Sequence, residues 1–186
     1  DDDDDDDGLG QLPRWMEGDT LAPPCQAEGD VVRAALELAE LREGDVVWDL
    51  GCGDGRIPIA AHVLYGVEAG GVEIEDDLVA RFRARLAELS IPSGPGGVTA
   101  VHGDLRDADL SSATVLVLYL LPEAIEELRE ALVGHLRRGA RVVCNTWGIP
   151  GLEAARRADC GPWGGVRLLL YTREASLGCG DVAPPR

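Results

Sequence analysis

The chain is 186 residues long, 45% hydrophobic and 27% charged, which is the size and balance of one water-soluble globular domain. Its 34 acidic side chains outnumber 17 basic ones and leave a net charge of −17. That excess argues against a nucleic-acid binder, which needs a basic footprint to displace counterions, and against docking on an anionic membrane. Every basic residue is Arg, so no side-chain amine of this chain can form a Schiff base.

The first 29 residues read as an acidic, largely disordered tail: Asp1 to Asp7 repel one another, and Pro13, Pro23 and Pro24 interrupt the rest of the segment. Leu12, Trp15, Met16 and Leu21 are placed to dock locally on the domain. From Asp30, a plausible N-cap, Val31, Val32, Ala35, Leu36, Leu38, Ala39 and Leu41 recur at helical spacing, and Gly44 is the expected stop. Residues 46–50 are too short an apolar run for a helix and read as a buried strand. The turn Gly51-Cys52-Gly53-Asp54-Gly55 and a helix over 57–65 come next. A strand is expected over 71–74. A helix over 76–89 buries Leu78, Val79, Phe82, Leu86 and Leu89, and leaves Arg81, Arg83 and Arg85 on its solvated side. After a Pro/Gly loop come strands over 98–102 and 113–119, the latter apolar enough for a sheet centre covered on both faces. A helix over 123–136 and strands over 141–145 and 166–172 complete the folded domain, assigned to 30–174, with a short tail over 175–186. Strands alternating with helices predict an α/β fold: a Rossmann-like, doubly wound, mostly parallel sheet of six to seven strands with helices on both faces.

The cysteines, at 25, 52, 144, 160 and 179, are odd in number and form no Cys-x-x-Cys pair. Neither a metal site nor a disulfide framework is expected, and a reducing intracellular compartment is. No apolar run approaches the roughly 20 residues of a membrane span, and no signal peptide opens the chain. The chain does not begin with Met, which leaves room for a leader ahead of it.

In an open parallel sheet, ligands bind beyond the carboxyl ends of the strands. There the glycines at 51, 53 and 55 form Gly-x-Gly-x-Gly, whereas the dinucleotide fingerprint requires Gly-x-Gly-x-x-Gly and position 56 is Arg56. Glu73 ends the second strand, where a carboxylate accepts hydrogen bonds from ribose hydroxyls, and Ile74 stands after it. Asp104, with Leu105 behind it, follows the third strand within reach of an adenine amine. Asp49, just before the glycines, can orient the loop or face an ammonium group. An amino acid, a ribose and an adenine in one ligand match S-adenosylmethionine; the acids flanking the turn would serve a pyrophosphate poorly.

The stretch from Asp45 to Ile57 resembles motif I of class I S-adenosylmethionine-dependent methyltransferases. Gly71-Val72-Glu73-Ile74-Glu75 resembles their ribose motif and Gly103-Asp104-Leu105 their adenine motif. More narrowly, Ala113-Thr114-Val115, Tyr119-Leu120-Leu121-Pro122, Leu136 and Gly139-Ala140-Arg141-Val142-Val143 are similar to a small family of protein-lysine N-methyltransferases. Its known members act on the ATP synthase c subunit and the adenine nucleotide translocase, and prokaryotes carry relatives. The resemblance spans roughly residues 22–172. It implies a cofactor held by Asp49, Gly51, Cys52, Gly53, Gly55, Glu73, Ile74, Asp104 and Leu105, with S-adenosylhomocysteine as product. Tyr119 becomes the acceptor-side catalytic residue, with Leu120, Pro122, Asn145 and Trp147 as substrate-side candidates. The implied partner is a basic or lysine-presenting protein, in the cytoplasm or mitochondrion. A small-molecule N- or O-methyltransferase and a non-catalytic cofactor-binding protein are the alternatives. Two departures stand out: only Leu21-Ala22-Pro23-Pro24 occupies the family's aromatic-Pro position, and an acidic tail replaces the hydrophobic targeting segment of eukaryotic members.

Overall fold

A computed structural model describes residues 29–178. The expectations for the acidic tail, for Cys25 and Cys179, and for the far C-terminus lie outside those residues. The described chain runs α1 (Gly29–Ala39), β1 (Val46–Leu50), α2 (Arg56–Tyr65), β2 (Glu68–Glu73), α3 (Asp76–Glu88), β3 (Val98–His102) and β4 (Val115–Leu118). It continues through α4 (Pro122–Arg137), β5 (Arg141–Asn145), β6 (Arg156–Cys160), β7 (Val166–Tyr171) and α5 (Arg173–Leu177). The seven strands form one sheet in the order β3-β2-β1-β4-β5-β7-β6. All pairings are parallel except those of β7, which runs antiparallel to both β5 and β6.

Two apolar layers sandwich the sheet. One joins α1, α2 and α3 to Val47, Ala69, Val98, Val115, Val117, Val143, Leu168 and Leu170. The other joins α4 to Leu50, Val72, Leu116, Leu118, Val142, Cys144 and Tyr171, with Leu177 of α5 packed against it. Alternate side chains of β4 and β5 thus enter opposite layers, as the period of a strand dictates.

The ends of the elements differ from expectation for local reasons. The first helix stops at Ala39 rather than near Gly44, because Glu40 turns to a φ of 52°. The second strand begins three residues earlier than its Gly70-Gly71 pair predicts. Those glycines do not turn the chain; they admit neighbours. A Cβ on Gly70 would stand 2.9 Å from the Trp48 ring, and one on Gly71 would stand 2.5 Å from Cys52 Sγ. The fourth strand is shorter at both ends than 113–119. The sixth strand, Arg156-Arg157-Ala158-Asp159-Cys160, is absent from the sequence reading because it is a charged edge strand with no apolar alternation. Helix α5 runs to Leu177 and so crosses the expected domain end at 174.

A polar clasp fixes the amino ends of the central strands. Thr114 Oγ1 donates to Asp45 Oδ1 at 2.7 Å, the Arg42 amide donates to Asp45 Oδ2 at 2.7 Å, and the Arg141 guanidinium pairs with the same carboxylate. Burial alone would raise the Asp45 pKa, but these hydrogen bonds and the Arg141 charge hold it below the usual range.

Candidate active site

The opposite, carboxyl end of the sheet holds the glycine turn. Gly51, Gly53 and Gly55 all have positive φ, at 80°, 55° and 88°. The amides of Gly51 and Cys52 both donate to the Val72 carbonyl, at 2.9 and 3.0 Å, so the turn is laced to the end of β2. At Gly55 a Cβ would fall 2.0 Å from the Phe82 ring, so only glycine lets α2 start this close to α3.

Glu73 tightens the same junction. Its buried carboxylate accepts from the Gly53 amide at 2.9 Å, and from the amides of Ile74 and Glu75 at 2.8 and 3.0 Å. Sequence reasoning anticipates its position but not this grip on the turn. Asp54 is buried and paired with Arg85 and, at 3.4 Å, with Arg56. Arg85 therefore faces inward to the turn, contrary to the expectation of a solvated α3 arginine; the buried Asp54 carboxylate draws it in.

Asp49 is different. It is buried, and no described group hydrogen-bonds to it. Burial, with the neighbouring charges of Glu73 and Asp54, pushes its pKa up to about 8. Cys52 is also buried, and desolvation beside these acids drives its thiol pKa upward, so it is no nucleophile.

Two clefts meet at Gly51. The first is lined by Val31 and Ala35 of α1, Asp49, the turn residues 51–54, Arg56, Ile57, Val117, Tyr119, Val143, Asn145 and Leu168. The second is lined by Gly51, Val72, Glu73, Ile74, Gly103, Asp104, Leu105 and Leu120. The nine residues expected around the cofactor thus fall on two joined depressions, except Gly55, which shapes the turn from behind. Asp104 is engaged by Arg106, whose Nε donates at 2.9 and 3.1 Å and whose amide donates at 2.9 Å. These bonds and the Arg106 charge hold the Asp104 pKa at about 2.

Of the acceptor-side candidates, Tyr119 is 46% exposed on the first cleft, and Asn145 lies buried on the same cleft, accepting from Thr146 Oγ1 at 2.8 Å. Leu120 walls the second cleft. Pro122 opens α4 on the surface, and Trp147 packs on the α4-side core; neither lines either of these two clefts. The lining from Val31, Ala35 and Leu168 is missed by sequence reasoning, because an apolar cleft wall and an apolar core read alike. His102 is held at its strand end, with Nε2 at 3.1 Å from the Ile74 carbonyl. Among the described residues no group of His, Cys, Asp and Glu is arranged to hold a metal ion.

Comparison with known proteins shows the family and the fold. A protein-lysine N-methyltransferase of Saccharolobus islandicus is 41% identical over 122 residues, covering 65% of this chain and 74% of that protein. The mouse adenine nucleotide translocase lysine N-methyltransferase is 34% identical over 130 residues, 69% of this chain but only 54% of that protein. A crystal structure described as an RNA methyltransferase from Salinibacter ruber, in complex with S-adenosylhomocysteine, superposes with a TM-score of 0.72 at 34% identity. It covers 87% of this chain and 97% of that one. Residues 49–156 match the ANTKMT methyltransferase domain, a match that begins at Asp49 and takes in the second cleft and all of the first except Val31, Ala35 and Leu168. The chain therefore belongs to the ANTKMT methyltransferase family and is an S-adenosylmethionine-dependent methyltransferase of the class I, Rossmann-like fold.

Proposed function

We propose that this enzyme methylates a lysine side chain of a protein, with the cofactor spread over the two joined clefts and the acceptor entering past Tyr119. One observation carries the cofactor placement: Asp49, a buried carboxyl with no described partner, faces the first cleft beside the glycine turn. An acid that lines a cleft and has no described protein partner suits a cation there, and the cofactor's ammonium group is one. In this reading Gly51 and Gly53 give the ligand access to backbone, Glu73 takes the ribose hydroxyls, and Asp104 takes the adenine amine between Ile74 and Leu105. When bound, S-adenosylmethionine supplies a methyl group on a positively charged sulfur, open to in-line displacement.

The chain's own task is then to position and dehydrate the acceptor. Tyr119 offers a ring and a hydroxyl, Asn145 an amide, and Val117, Val143 and Leu168 apolar walls. An amine leaving water for such walls has its pKa lowered, so the neutral nucleophile forms without a dedicated base. The acidic surface favours a basic polypeptide by long-range attraction. The names of the S. islandicus and mouse relatives support lysine as acceptor.

RNA is the second reading, favoured by the name of the Salinibacter protein. The net charge of −17 opposes it, since phosphate binding needs a basic surface. No helix among the described residues is long and apolar enough to cross a membrane. For the compartment, we propose a reducing one, inside the cell.

The test is incubation of the enzyme with methyl-labelled cofactor and, in parallel, lysine-containing peptides, small amines and RNA. Label on peptide lysine is the expected result; label confined to RNA or to small amines overturns the acceptor assignment.

A further inference from the structure

The turn between β6 and β7, Gly161-Pro162-Trp163-Gly164-Gly165, lies at the same end of the sheet as the clefts. The register shows why: β7 runs antiparallel to β5, Asn145 pairs with Leu168, and both line the first cleft. The hairpin closes at the Cys160–Val166 pair, two residues further out in that direction. It also touches the cleft wall. A Cβ on Gly161 would stand 3.4 Å from Val31 Cγ2, and Val31 lines the cleft.

Trp163 is fully exposed at the tip of this turn. Its backbone is left-handed, with φ 61° and ψ 21°, a conformation costly for a bulky side chain. The turn is closed by Gly164 N donating to the Gly161 carbonyl at 3.0 Å and Gly165 N to the Pro162 carbonyl at 3.1 Å. Among the described residues nothing packs on this ring, and it is held outward on a strained backbone. Such outliers gather where a side chain must be presented to a ligand. Tyr119 and Leu121, both between the end of β4 and the start of α4, add further exposed apolar surface.

We propose that the Gly161–Gly165 turn docks a basic segment of the acceptor polypeptide, with Trp163 as its anchor. The charge around it selects this occupant. Asp159 flanks the turn on β6 and Asp30 approaches it from α1, close enough that both raise the Cys160 pKa. Asp159 shares its charge with Arg167 at 3.1 Å, while the Asp30 side chain accepts only the Val31 amide at 2.8 Å. The acids repel both an anionic membrane and a second copy of this acidic chain, and attract lysine and arginine. The face of a tryptophan ring adds to that attraction, because it binds alkylammonium and guanidinium groups. The inference rests on the polypeptide-acceptor reading and extends it to a surface outside the two clefts.

The test compares the intact chain with Trp163→Ala and Trp163→Phe, using a short oligolysine peptide as probe. Peptide binding and S-adenosylhomocysteine binding are measured by calorimetry, and methyl transfer to the peptide is measured separately. The expected result is a rise of about tenfold in Kd and KM for the peptide in Trp163→Ala, the scale of one anchoring aromatic. Trp163→Phe recovers most of it, and S-adenosylhomocysteine affinity stays constant across all three. Equal peptide affinity in Trp163→Ala and the parent overturns the docking role, as does a parallel loss of S-adenosylhomocysteine affinity. Conversion of a dimer to a monomer, or loss of binding to neutral lipid vesicles with unchanged peptide affinity, assigns the ring to another occupant and also overturns it. Peptide that binds through Trp163 but receives no methyl group leaves the docking role intact and removes the lysine-acceptor reading instead.

Discussion

At the residue scale, the proposed cofactor placement rests most on Asp49. A carboxyl whose pKa is about 8 when folded, against about 4 when unfolded, binds a proton more tightly in the native state. The stability it contributes is fully present below pH 4 and falls as the pH rises toward 8. Asp49→Asn removes that dependence and makes the ligand-free enzyme more stable at neutral pH, which thermal melts across the range will record. Binding an ammonium favours the ionised form, so uptake of S-adenosylhomocysteine should release a proton. Its affinity should climb with pH by at most about tenfold per unit up to about 8 and then level off, a limit set by one linked proton. Calorimetry in buffers of different ionisation enthalpy measures that proton; a pH-independent affinity with no proton released contradicts the role given to Asp49.

Glu73 behaves differently because its oxygens are already bonded. Glu73→Ala leaves the Gly53 amide without its acceptor, along with those of Ile74 and Glu75, and should cost about 1–3 kcal/mol of stability as well as weakening cofactor binding. A loss of affinity with no change in melting temperature would show that the grip on the turn is dispensable. Gly55→Ala drives a methyl group into the Phe82 ring and should destabilise the protein by about 1–3 kcal/mol. An unchanged denaturation midpoint would refute that tight approach of α2 to α3.

At the scale of elements, strands β1, β3 and β5 and helix α3 were legible because short apolar runs and helical stripes were bounded by turn residues. The glycine turn was legible from its spacing alone. What escaped was governed by tertiary contact. The expected strand opens at Gly71 and leaves out 68–70; only the neighbouring Trp48 ring explains Gly70 inside β2. The edge strand β6 has too little apolar patterning to announce itself, and the inward turn of Arg85 depends on a buried carboxylate 31 positions earlier. The clasp on Asp45 also joins elements distant in sequence, and its pKa is lowered. Its contribution is therefore present above about pH 4 and lost as the pH falls through the folded value. Thr114→Val should cost about 1–2 kcal/mol at neutral pH and less in acid, because the Asp45 hydrogen bond it removes weakens on protonation. A cost that is equal at both pH values would contradict the clasp.

At the scale of the whole molecule, the parallel core of the sheet delivers Asp49, Glu73, Asp104, Tyr119 and Asn145 from five successive strand ends to one rim. The reversed strand β7 then brings the β6–β7 turn to that rim as well. Under the proposed function the cofactor and acceptor sides adjoin along the sheet: the acids of β1, β2 and β3 lie toward one side, Tyr119 and Asn145 toward the other, and the first cleft joins them at Asp49. The acidic charge of the chain suits both a cationic cofactor and a basic acceptor. A crystal structure of the enzyme grown with S-adenosylhomocysteine tests this arrangement most directly. The ammonium group is expected against Asp49, the ribose hydroxyls on Glu73 and the adenine amine at Asp104, with the thioether sulfur turned toward Tyr119. Electron density for the compound at any other surface, or a purine lying away from Ile74 and Leu105, would contradict that placement.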